Sequence, residues 1–172
     1  MSLAPVFQVV GFKNCGKTSL LSDLIAYGTD RGEKVAAIKH HSQDEPLKVV
    51  HYDTDSYRLH ESGAFMTGVD SPRRFQLELT HGDDLPLKSL VSIYQHFSPD
   101  LIAIEGYIQE HFPKAVIIKR ESDLHLLRDL FNIQLVICWD ERMVSDISFP
   151  VISLKDWRKR LREVYELAKR GG

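Results

Sequence analysis

The stretch Gly11-Phe12-Lys13-Asn14-Cys15-Gly16-Lys17-Thr18 constrains this chain more than any other. It fits the pattern G-x-x-x-x-G-K-[ST]: glycines let the backbone wrap closely with its N–H groups inward, and the following helix turns its positive end to the same anion. The pattern needs a strand before it and a helix after it. The apolar run Val6-Phe7-Gln8-Val9-Val10 reads as a buried strand, and residues 17–27 read as a helix with Leu20, Leu21, Leu24 and Ile25 on one face, ended by Gly28 or Gly32. That context outweighs the bland alternative of a glycine-containing turn ahead of an amphipathic helix. In such a loop Lys17 reaches the outer phosphates and Thr18 ligates Mg²⁺, with Gly11, Asn14, Cys15, Gly16 and Ser19 completing the phosphate cradle.

The rest of the chain alternates strands and helices. Val35 to Lys39 reads as a second strand, leading into the polar stretch His40 to Pro46. Thr54 caps a two-turn helix through Glu61, with Gly63 as its stop. Ala64 to Val69 reads as strand, and Arg74 to Thr80 alternates apolar and polar residues, the mark of a half-exposed edge where a second subunit could add on. Leu87, Leu90, Val91, Tyr94 and Phe97 mark an amphipathic helix stopped by Ser98-Pro99. Leu101 to Ile104, Ala115 to Ile118 and Ile133 to Cys138 are the continuous apolar runs of parallel strands covered on both faces. Ser122 is read as the cap of a short helix, and Ser153 as the cap of a last helix with Leu154, Trp157, Leu161, Val164 and Ala168 on one face. These readings predict a single α/β domain over 1–172: a three-layer, P-loop NTPase-like, doubly wound and mostly parallel sheet with an edge hairpin at 64–80. Ligands then belong in the crevice outside the carboxyl ends of the strands.

That rule selects the polar candidates. Glu105 ends a strand and is placed to hold Mg²⁺ or polarise an attacking water; with Lys17 it is the candidate catalytic pair, and with Thr18 the candidate metal pair. Lys39, His40 and Asp44 follow the second strand, where nucleotide-switching proteins sense the γ-phosphate. His40-His41 lacks a second ligand pair of recognisable spacing, so a zinc site is disfavoured. Cys15 and Cys138 read as unpaired, one facing a ligand and the other a core. The basic residues between Lys155 and Arg170 read as a solvated face, with docking of an acidic partner as the sharper alternative. A net charge of −2 argues against non-specific nucleic-acid binding. With neither a leader-like segment nor about 18 consecutive apolar residues, the expected place is the cytoplasm and not a membrane. No D-x-x-G and no N-K-x-D occurs, so residues alone leave the base unassigned and kinase, GTPase and transporter readings open.

Taken together, the loop, Ile38-Lys39-His40, Asp44, Asp55-Ser56, Ser62-Gly63-Ala64 and Ile104-Glu105-Gly106-Tyr107 resemble the MobB family of molybdopterin-guanine dinucleotide biosynthesis adapter proteins over most of the chain. The resemblance implies GTP binding with Mg²⁺, at most slow GTP hydrolysis, and help to a MobA-like guanylyltransferase that attaches GMP to molybdopterin. It also implies a homodimer with a sheet continued between subunits, which gives the 74–80 segment a purpose. Family binding roles carry over onto Gly11, Asn14, Gly16, Lys17 and Thr18, and onto Lys39, His40, Asp44 and Glu105. A small-molecule kinase and a GTP-dependent metal-delivery factor using His40 and His41 are the competing expectations.

Overall fold

The apolar runs assemble side by side. In a computed structural model describing residues 3–41, 54–80 and 85–170, strands β1 (Val6–Val10), β2 (Val35–Lys39), β5 (Leu101–Glu105), β6 (Lys114–Ile118), β7 (Ile133–Cys138) and β8 (Val151–Ser153) form one parallel sheet in the order β2-β5-β1-β6-β7-β8. β1 and β5 are buried along their whole length, as continuous Val/Ile/Leu runs require when both faces are covered. Helices α1 (Lys17–Asp30) and α5 (Leu161–Arg170) cover one face: Leu20, Leu21, Leu24, Val164, Tyr165 and Ala168 pack on Phe7, Val9, Ala103 and Ile117. On the other face, α3 (Leu87–Gln95) sets Leu87 and Val91 on Val6, Ile38, Ile102 and Ile104. Farther along the same sheet, α4 (Leu126–Asp129) places Leu126 beside Val116, Val136 and Cys138. This is the doubly wound, mainly parallel α/β architecture the sequence predicts.

The chain groups into two compact units, Met1–His41 with Leu87–Gly172, and Ser42–Pro86. In the second, Thr54 accepts a hydrogen bond from the Tyr57 N–H and caps α2 (Asp55–Glu61), and β3 (Met66–Ser71) pairs antiparallel with β4 (Arg74–Leu79). The connecting pair is Pro72, with its ring-fixed φ, and Arg73 at φ +74. The register puts Met66, Phe75, Leu77 and Leu79 on one face of the hairpin, with Gly68 under the Phe75 ring. Phe75 is 56 % exposed and Leu77 45 %, so this face is an uncovered apolar strip.

Several local expectations need correcting. Ser153 closes β8 and caps no helix; a 3-10 turn, Trp157–Arg160, and then α5 follow it. Val151-Ile152-Ser153 is too short a run to show a period, which is why the serine looks like a cap. Ser122 lies inside a 3-10 turn, Glu121–His125, and the capping is done by Asp123, whose carboxylate accepts from the Lys119 and Arg120 N–H groups. Phe97 falls beyond α3 and is exposed, because Ser98 takes φ +48 and the chain leaves the helix axis. α1 runs through Gly28 to Asp30; Gly32, at φ +79, follows the true end. Gly28 is needed for close packing: a Cβ there would lie 2.3 Å from Tyr165 Oη and 2.6 Å from Val35 Cγ2.

Candidate phosphate-binding site

β1 delivers the chain to the carboxyl end of the sheet, where Gly11 takes φ +150. A Cβ at Gly11 would stand 2.8 Å from Cys15 Sγ and 3.0 Å from Ile117 O, so only glycine lets the loop fold back this tightly. Asn14 at φ +59 and Gly16 at φ +106 reverse the backbone hand twice more before α1 starts at Lys17. Such changes of hand aim successive N–H groups into one concavity. No side chain caps α1 and no acidic residue lies in its first turn, so its positive end is available to an anion. Lys17 Nζ donates to Phe12 O at 2.8 Å, and Ser19 is exposed on the first turn. Cys15 is buried, and burial raises its thiol pKa, so it is a packing residue and no ready nucleophile.

The other candidates converge from β5 and β2, which share the register Lys39↔Glu105. Thr18 Oγ1 donates to Glu105 Oε2 at 2.8 Å, Lys39 Nζ stands 3.1 Å from Glu105 Oε1, and Lys39 Nζ donates to Thr18 Oγ1 at 3.2 Å. Glu105 is buried, and its charge is matched by the ammonium of the half-exposed Lys39. The hydroxyl and carboxylate are hard oxygen donors of the kind Mg²⁺ takes. His40 N–H donates to Glu105 O at 2.9 Å, and the His40 ring packs on Tyr107 with centroids 4.5 Å apart. His41 is exposed, and Asp44 lies outside the described residues. Among the described residues no cluster of three His, Cys, Asp or Glu could hold a metal.

Sequence reasoning passed over several groups that complete the site. The buried Gln8 donates its Nε2 to Gly106 O at 3.1 Å and Tyr107 O at 3.0 Å, pinning the turn that follows Glu105. Lys114, fully buried beside Gln8 in the β1–β6 register, donates to Glu110 O at the far end of the same turn. Burial lowers the Lys114 pKa. Gln8 was hidden inside a run that reads as apolar strand, and Lys114 stands one position ahead of another. Lys119 and Trp139, at the carboxyl ends of β6 and β7, donate to Asn14 O at 2.9 Å and Cys15 O at 3.0 Å. The strand-end rule that selected Glu105 would also have selected them.

Comparison with known proteins bears on the same region. The sequence model of the family described as molybdopterin guanine dinucleotide synthesis protein B (MobB) matches residues 6–139, which hold the loop, Lys39, Glu105, Lys119 and Trp139. The chain is 31 % identical over 154 residues to a protein of Bacillus subtilis (strain 168) described as a probable molybdopterin-guanine dinucleotide biosynthesis adapter protein, covering 88 % of this chain and 87 % of that one. It is 32 % identical over 120 residues to the molybdopterin-guanine dinucleotide biosynthesis adapter protein of Escherichia coli (strain K12), 69 % of this chain and 67 % of that one. The X-ray structure of a MobB homolog from Bacillus stearothermophilus superposes with a TM-score of 0.76 at 30 % identity, covering 96 % of this chain and 98 % of that one.

Proposed function

The chain belongs to the MobB family, and from that premise we propose that this adapter of molybdopterin-guanine dinucleotide biosynthesis works by binding GTP at the Gly11–Thr18 loop. The observation that carries the reading is the convergence of Thr18, Glu105 and Lys39 beside an uncapped helix start, since one short chain segment would not bring those groups together by accident of composition. The loop N–H groups and the start of α1 hold the phosphates. Lys17 leaves Phe12 O for the outer phosphates, where a charge-assisted contact is stronger than one to a neutral carbonyl. Thr18 and Glu105 would hold Mg²⁺, whose charge offsets that of the phosphate oxygens. Lys39 already neutralises Glu105, and it is the residue that turns toward the terminal phosphate. His40, its ring tilted against that of Tyr107, shapes the wall of that corner.

Hydrolysis is slow, and the bound nucleotide is held for presentation to a guanylyltransferase that joins GMP to molybdopterin. Family membership does not favour the small-molecule kinase or the metal-delivery reading. The apolar face of β3 and β4 pairs with its copy in a second chain, giving a homodimer. No helix among the described residues is long and apolar enough to cross a membrane, and a cytoplasmic location accords with the proposed role.

Calorimetric titration with GTP, GDP and ATP, each with and without Mg²⁺, tests the reading. GTP binding strengthened by Mg²⁺ and tighter than ATP binding is expected; absence of guanine-nucleotide binding would remove it.

A further inference from the structure

A loop that turns its N–H groups toward an anion turns carbonyl groups the other way, and those need partners too. Here two outward carbonyls are held from outside the loop. Lys119 Nζ donates to Asn14 O at 2.9 Å, and Trp139 Nε1 donates to Cys15 O at 3.0 Å. The two donors also touch each other, with Lys119 Nζ 4.6 Å from the centre of the Trp139 ring. Each is anchored in turn: the Lys119 N–H donates to the buried carboxylate of Asp123 at 3.0 Å, and the Trp139 N–H to Ile118 O at 3.0 Å. A continuous set of contacts therefore runs from Asp123 and the ends of β6 and β7 to the loop. It meets the loop at Asn14, the one non-glycine residue of the turn in the left-handed region, which asparagine adopts at less cost than most residues.

We propose that Lys119 and Trp139 are positioning residues that brace the phosphate loop in its anion-binding shape before the nucleotide arrives. The proposal rests on the reading of Gly11–Thr18 as the nucleotide site. The brace acts on backbone carbonyls, so it serves the phosphates and is indifferent to the base. Lys119 also leaves a positive charge behind the loop, which adds to the field of α1.

The test uses Lys119→Met, which keeps the stem and removes the ammonium, and Trp139→Phe, which keeps a ring and removes the N–H donor, with Lys119→Arg as the conservative replacement. Affinities for Mg²⁺–GTP and for inorganic tripolyphosphate are measured by calorimetry, and exchange of the residue 14–18 amides is followed in the ligand-free protein. Each of the first two variants should weaken both ligands by the same factor, about tenfold for one lost hydrogen bond, and should speed loop exchange while the melting temperature holds. Lys119→Arg should restore both. Weakened GTP with unchanged tripolyphosphate would mean that the residues contact the nucleoside instead, and unchanged loop exchange would overturn the brace outright. If the unaltered protein binds neither ligand, the nucleotide-site reading fails, and loop exchange still decides whether the brace exists.

Discussion

Thr18 Oγ1 donates to Glu105 Oε2 at 2.8 Å although 87 positions of sequence separate the two residues. The hydroxyl that follows the loop lysine is thereby joined to the carboxylate that ends β5, the pair that would hold Mg²⁺. Glu105→Gln keeps the side-chain volume and removes the charge. The expected outcome is loss of at least tenfold of the Mg²⁺-dependent gain in GTP affinity, with metal-free GTP affinity equal to or above that of the unaltered protein, because one negative charge has left the phosphate site. Calorimetry at two Mg²⁺ concentrations reads both. An unchanged Mg²⁺ dependence would take Glu105 out of the metal site.

Lys17→Ala should weaken GTP binding at least tenfold, since charge-assisted hydrogen bonds contribute about 1.5–3 kcal/mol each. Its side-chain hydrogen bond to Phe12 O is exposed, so the melting temperature should stay within about 2 °C. Equal losses of affinity and stability would show that Lys17 supports the fold of the loop and does not meet the phosphate.

Five of the six strands of the sheet were legible because they are apolar runs of five or six residues divided by helical periods, whereas β8 is only three residues long. The loop was legible because its chemistry is local. Glu105 could be chosen because a charge stood at the end of an apolar strand. The same rule marks the positions of Lys119 and Trp139, but not their role: their partners are carbonyls 105 and 124 positions away. Gln8 escaped for a related reason, since one amide among four apolar neighbours reads as tolerated polarity until Gly106 and Tyr107 are seen to accept from it. Non-local pairing carries no mark in a single sequence.

The apolar strip of the hairpin predicts the assembly. If Phe75 and Leu77 are buried against a second copy, Phe75→Lys or Leu77→Lys should place an unpaired charge in that contact and shift the protein from dimer to monomer at micromolar concentration. Sedimentation velocity reads the change. A monomeric unaltered protein, or a dimer indifferent to both changes, would assign the strip to another partner.

Glu33 Oε2 accepts from Lys169 Nζ at 2.7 Å and from Tyr165 Oη at 2.8 Å, tying the segment after α1 to α5. The bond from Lys169, then that from Tyr165, holds the Glu33 carboxyl below its ordinary value of 4.5, while burial and the carboxylate raise the Tyr165 hydroxyl. Because the folded value is depressed, the stabilisation is fully present above pH 4.5 and is lost as pH falls through the lower folded value. Glu33→Gln should therefore cost about 1 kcal/mol near pH 7, the contribution expected of a partly exposed pair, and lower the melting temperature by about 2–4 °C. As pH falls below 4.5 the gap should narrow, and it should close once pH passes the lower folded value and the unaltered carboxyl is neutral as well. Thermal melts from pH 3 to pH 8 would show the convergence, and a gap that persists undiminished at the acid end would mean that Glu33 contributes through packing and not through its charge.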